Sequence, residues 1–113
     1  MTTKVFLVGY MGCGKSTLAR KLSRRTGVRA VDTDAEVERM EGASVGDIFR
    51  YEGEERFREL ERSVVERVAA SGEACIVATG GGLPTWSDNM EMLSKAGTTV
   101  YLCLLYTSDA ADE

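Results

Sequence analysis

Histidine is absent from these 113 residues, proline occurs once, at Pro84, and no arginine follows Arg67. Without histidine there is no His-containing zinc site. The three cysteines, Cys13, Cys75 and Cys103, are far apart, odd in number and outside any C-x-x-C pair. They offer no metal-ligand spacing and fit the reduced thiols of a cytoplasmic protein. Long apolar runs are missing too. Val5–Val8, the only such run near the N-terminus, is too short for a signal-peptide core or a membrane span. Positive charge is not in excess: 14 Lys+Arg stand against 18 Asp+Glu, and three of the acids, Asp109, Asp112 and Glu113, lie in the last five residues. No basic face is available for nucleic acid. No internal repeat or Pro- or Ser-rich linker divides the chain, so one small domain with a moderate core is expected.

What is present alternates. Lys4–Val8 is a continuous β-rich apolar run, the pattern of a strand buried on both faces. A helix follows over Lys15–Thr26 and stops at Gly27. Val28–Val31 reads as a second strand and Ala35–Glu41 as a polar helix. Ser44 and Asp47 form a capping pattern that opens a short helix through Ile48 and Phe49. Beyond Gly53 a longer helix covers Glu54–Ala70, with Phe57, Leu60, Val64, Val65 and Val68 as its apolar stripe. Ala74–Ala78 is a third strand. Ser87 or Asp88 caps a helix to about Lys95, and Thr99–Leu102 is a fourth strand. Strands alternating with helices indicate an α/β fold, three layers around a parallel sheet.

Gly9-Tyr-Met-Gly12-Cys13-Gly14-Lys15-Ser16 fits G-x-x-x-x-G-K-[ST] and sits between a buried strand and a helix. That context fits a P-loop. Its glycines let backbone N–H groups turn toward phosphate oxygens, and the helix N-terminus adds a positive dipole end. Lys15 then reaches the β- and γ-phosphates, and Ser16 meets Mg²⁺. Gly12, Cys13, Gly14, Lys15, Ser16 and Thr17 are the candidate nucleotide-binding residues. An N-K-x-D guanine-reading motif is absent. The third strand ends in Thr79 and three glycines, not in the aspartate usual in motor-type ATPases and GTPases.

Asp32-Thr33-Asp34 closes the second strand, where a parallel sheet opens its ligand crevice. One acid can support a metal and the other can take a hydroxyl proton; the plainer alternative is a helix cap. Arg58 suits bidentate carboxylate recognition, or else a solvated pair with Glu54 or Glu61. Gly80, Gly81 and Gly82 suit close approach of a ligand to backbone, or else a flexible loop. Phe57 reads as core by spacing. Cys13 reads as an inert small side chain, although a helix N-terminus lowers a thiol pKa.

In content and order these motifs resemble shikimate kinase. They are Gly9 to Thr17, Asp32-Thr33-Asp34, Ile48-Phe49 with Gly53-Glu54, Phe57-Arg58 through Glu61, and Gly80–Gly82. The resemblance implies a P-loop kinase fold with strand order 2-3-1-4 over residues 1–102. It implies ATP and Mg²⁺ as cofactors, with Ser16 and Asp32 at the metal and Lys15 and Asp34 in catalysis. It implies shikimate as the small-molecule partner, held by Asp34, Arg58, Gly80, Gly81 and Gly82 beside Phe49 and Phe57. A monomer without nucleic-acid or membrane partners is expected. Gluconate kinase and the nucleoside monophosphate kinases are the alternatives within the fold. The latter usually carry a P-loop proline and an Asp-Gly-Phe-Pro-like run after the third strand, and neither occurs here. After Leu102 the resemblance stops. The lid with its arginine, a fifth strand and a last helix are not found, and residues 103–113 read as a non-native tail resembling translated adaptor sequence. Little activity, or a catalytically dead nucleotide-binding fragment, is the expectation for this chain.

Overall fold

Lys4–Gly9 forms the central strand β1, and Phe6, Leu7 and Val8 are at most 1% exposed, as a run covered on both faces should be. The computed structural model describes residues 3–9 and 14–102. Along the chain follow α1 (Lys15–Thr26), β2 (Arg29–Asp32), α2 (Thr33–Glu41), α3 (Val45–Glu52) and α4 (Glu54–Ala70). Then come β3 (Cys75–Ala78), a 3₁₀ turn at Leu83–Thr85, α5 (Asn89–Ala96) and β4 (Thr98–Leu102). The sheet has the expected order, β2-β3-β1-β4, and every pairing is parallel.

Alternation along the strands divides the core. Leu7, Ile76 and Ala78 face α1 and pack with Ala19. Phe6, Val8, Cys75 and Val77 turn the other way and meet Val65 and Val68 of α4 and Leu93 of α5. Burying each such valine or leucine stabilises by roughly 1.5–3 kcal/mol. A third cluster joins the helices alone: Val37 from α2, Ile48 from α3, and Phe57, Leu60 and Val64 from α4. The whole predicted stripe of α4 is buried, but so is Glu61 in its midst.

Local chemistry sets the helix ends that matter for the site. The Asp47 N–H donates to Ser44 Oγ at 3.1 Å, as the capping pattern predicts. At Gly53 the chain leaves α3 and enters α4 directly, which lays Phe49 against Phe57 with ring centroids 4.8 Å apart. The second helix starts earlier than its polar pattern indicates, at Thr33, because the Asp32 carboxylate caps it.

Register aligns the strand ends. Ala78 stands opposite both Leu7 and Asp32. Just beyond it, the Thr79 N–H and Oγ1 both donate to the Leu7 carbonyl, at 3.1 and 3.0 Å. The glycine run is thereby tied to β1 at the same end of the sheet where β1 enters the P-loop and β2 delivers Asp32.

Candidate active site

The phosphate side of the crevice is built from the strand-to-helix junction. Gly14 is the N-cap of α1, with φ 88°, a conformation that an L side chain rarely adopts. Lys15 is 8% exposed, and its Nζ donates to the Gly9 carbonyl at 2.7 Å. The long side chain thus reaches back to the end of β1. Ser16 Oγ donates to Asp32 Oδ2 at 2.6 Å, while Asp32 Oδ1 accepts from the Ala35 N–H at 3.1 Å. Asp32 realises both readings given to it: it caps α2, and it presents an oxygen beside the P-loop serine. Hydroxyl and carboxylate oxygens are the hard donors that Mg²⁺ takes. Among the described residues no group of three or more His, Cys, Asp or Glu could hold a metal. Two protein oxygens still fit a Mg²⁺ site whose remaining ligands are phosphate and water.

The other side is acidic, buried and held by one guanidinium. Asp34, in the first turn of α2, lies close to Gly80: a Cβ built on Gly80 would stand 2.7 Å from Asp34 Oδ1 and closer still to Glu61 Oε2. The Gly80 N–H donates to Thr33 Oγ1 at 3.0 Å, fixing this approach. Arg58 Nη1 donates to Glu61 Oε1 at 2.8 Å and Nη2 to Glu54 Oε2 at 3.4 Å. Its guanidinium carbon sits 5.4 Å from the Phe57 centroid and 5.9 Å from that of Phe49. A Cβ on Gly82 would come within 2.8 Å of Arg58 Cζ. Burial pushes the Asp34 carboxyl above its ordinary value, and the Asp32 charge adds to the rise. Burial likewise pushes Glu61 up, to about 7, against the pull of Arg58.

Most predicted residues converge. Gly14, Lys15, Ser16, Thr17, Asp32, Asp34, Gly80 and Gly81 line one cleft with Thr79, about 390 Å³ in volume, within the range of small-molecule sites. Gly12 and Cys13 lie outside the described residues. Arg58 and Gly82 do not line the cleft; they adjoin it behind Asp34 and Glu61. Arg58 is not a solvated surface arginine, since its side chain is 14% exposed, yet it does make both ion pairs that the plainer alternative names. Phe57 is core, as its spacing says, while Phe49 is 37% exposed. Two residues were missed as site elements: Thr33, which holds Gly80, and Glu61, which pairs with Arg58 and crowds Gly80 beside Asp34. A glutamate lodged in an apolar stripe was the available signal for Glu61.

The profile of the shikimate kinase family matches residues 11–108. The chain belongs to the shikimate kinase family. The match runs past Leu102, where the motif resemblance ends. A shikimate kinase of Persephonella marina is 45% identical over 98 residues, covering 87% of this chain and 59% of the relative. One from Parabacteroides distasonis is 46% identical over 99 residues, covering 88% and 57%. The crystal structure of shikimate kinase from Bacteroides thetaiotaomicron superposes with TM-score 0.85 at 42% identity, over 89% of this chain and 57% of that one. Shikimate kinase from Acinetobacter baumannii, solved in complex with shikimate, gives TM-score 0.85 at 40% identity, over 90% and 56%. The chain therefore spans less than two thirds of the length of these shikimate kinases. Among its described residues no helix is long and apolar enough to cross a membrane.

Proposed function

We propose that this chain forms the nucleotide- and acceptor-binding part of an enzyme that transfers the γ-phosphoryl of ATP to the 3-hydroxyl of shikimate. The observation that carries the reading is the adjacency of two half-sites at one end of the sheet. Lys15, Ser16 and Asp32 form the first; Asp34, with Arg58 behind it across the glycine run, forms the second. Family membership and a relative crystallised with shikimate support the choice of acceptor.

Lys15 and the N-terminus of α1 bind and orient the phosphates of ATP. Ser16 and Asp32 would hold Mg²⁺, which supplies charge neutralisation between the β- and γ-phosphoryl oxygens. Asp34 orients the acceptor hydroxyl and receives its proton. Arg58 offers the planar donor fork that a carboxylate accepts in bidentate fashion; Gly80, Gly81 and Gly82 let the ring come close to backbone. To meet a substrate carboxylate, Arg58 gives up its long bond to Glu54, which is exposed and inexpensive to lose. The enzyme acts in the cytoplasm as a monomer. A polypeptide of residues 1–113 taken alone turns over little, since it holds no arginine beyond Arg67 to stabilise the migrating phosphoryl group.

The acceptor is tested by coupled ADP release from a full-length chain in which residues 1–102 are continued by the remaining segment of the Bacteroides thetaiotaomicron relative. Turnover that depends on shikimate is expected. Turnover with gluconate, and none with shikimate, would move the chain to the gluconate kinase alternative.

A further inference from the structure

Glu61 is the one carboxyl among the described residues that is fully buried, at 0% exposure. Its two oxygens have different neighbours. Oε1 accepts from Arg58. Oε2 finds no N–H or O–H donor, and neither does the buried Oδ1 of Asp34. The two orphaned oxygens are not far apart, since a Cβ on Gly80 would crowd both of them. Two ionised carboxylates cannot satisfy each other, because neither has a hydrogen to give. Leaving both charges in a buried site with a single arginine would carry a desolvation penalty that one ion pair does not repay. One proton removes the orphaned atoms and the excess charge together.

We propose that Glu61 is held as a neutral acid whose O–H donates to Asp34 Oδ1, making it a positioning residue that fixes the orientation of Asp34. The bond occupies Oδ1 and leaves Oδ2 as the Asp34 oxygen available to the cleft. Glu61 Oε1 meanwhile keeps Arg58 on the other side.

The surrounding charges agree on where the proton resides. Facing Glu61 are Arg58 on its own helix and Asp34 from α2, with the Gly80 backbone after β3 between them; Glu54 stands beyond Arg58, and Asp32 and Glu38 act on Asp34. Burial raises Glu61 most, Arg58 lowers it, and the charge of Asp34 raises it. Asp34 is half-buried and lines the cleft while Glu61 is fully buried, so the charge is better solvated on Asp34 and the proton resides on Glu61. The acceptor side of this inference rests on the shikimate reading; the proton itself does not.

Glu61→Gln is the discriminating variant. Its carboxamide copies the neutral acid, accepting from Arg58 through oxygen and donating to Asp34 through nitrogen. Two readouts need no shikimate. The first is infrared absorption of the wild-type chain at pH 6, where a protonated-carboxyl C=O band is expected and is expected to vanish in Glu61→Gln. The second is the melting temperature against pH for wild type, Glu61→Gln and Glu61→Ala. Glu61 rises from 4.5 to about 7 on folding. Its stabilisation relative to Gln is therefore fully present below pH 4.5 and is lost as pH climbs through about 7. The wild-type minus Gln difference should fall across that window, with Gln close to wild type and Ala well below both at pH 6. The absence of the band from wild type at pH 6 would overturn the proposal, as would Glu61→Gln melting as low as Glu61→Ala there. Either result would make Glu61 an ionised salt-bridge partner of Arg58. A failed acceptor assay with the band present would instead count against the shikimate reading alone.

Discussion

Ser16 and Asp32, sixteen residues apart in sequence, are joined by a 2.6 Å hydrogen bond from Ser16 Oγ to Asp32 Oδ2. The other carboxylate oxygen caps α2. One side chain thus serves the phosphate site and the helix that carries Asp34, so the two halves of the crevice share a rigid joint.

That dual use separates two substitutions. Asparagine remains a good N-cap but loses the charge. Asp32→Asn should therefore leave thermal stability nearly unchanged while weakening the dependence of ADP binding on Mg²⁺. Asp32→Ala should lose the cap as well, at a further cost of about 1 kcal/mol. Calorimetric titration with ADP, with and without Mg²⁺, alongside melting curves, distinguishes these effects. Equal Mg²⁺ dependence in wild type and Asp32→Asn would remove Asp32 from the metal.

Lys15 is buried, with its ammonium at the Gly9 carbonyl. Lys15→Ala should weaken MgATP binding severely, by tenfold or more if the ammonium contributes at least about 1.4 kcal/mol. Calorimetry with MgATP reads it directly, and unchanged affinity would mean that the side chain does not reach the phosphates.

Arg58 lies between the phenylalanine pair and Glu61, and its substitution should act on the acceptor alone. In the full-length chain, Arg58→Ala should raise KM for shikimate by 30- to 1000-fold, corresponding to a lost charge-assisted pair of roughly 2–4 kcal/mol. KM for ATP should hardly change. An unchanged shikimate KM would leave Arg58 as an internal ion-pair partner only.

Gly82→Ala tests the same guanidinium without touching it. The new methyl would meet Arg58 Cζ at 2.8 Å. The obstacle is the far end of a flexible side chain, so the protein should fold with little loss and the arginine should swing aside. Shikimate KM is expected to rise toward the Arg58→Ala value with the melting temperature nearly unchanged. Wild-type KM in Gly82→Ala would show that the run does not set the position of Arg58.

Much of this arrangement was legible in the chain. The strand at Lys4–Val8 and the helix at Glu54–Ala70 stand out because burial on two faces and burial on one stripe leave different periods. The P-loop and Asp32-Thr33-Asp34 stand out because strand ends in a parallel sheet share one side. Other features depended on contacts between distant residues. The start of α2 moved to Thr33 because capping by Asp32 overrode the polar pattern after it. The glycine run is not a free loop, because Thr33 and Leu7 bind Gly80 and Thr79 from elsewhere in the sequence. Glu61 looked like a surface partner of Arg58 at i,i+3; only the packing of α2 against α4 reveals that it is buried and faces Asp34.

The central claim is transfer of a phosphoryl group to one particular hydroxyl. Its most direct measurement is phosphorus–proton correlation NMR on the product that the full-length chain forms from ATP and shikimate. The account predicts a single new phosphate ester whose phosphorus couples to the proton on C3, and no ester with Lys15→Ala. An ester at another ring position, or ATP hydrolysis to free phosphate with shikimate unmodified, would contradict it.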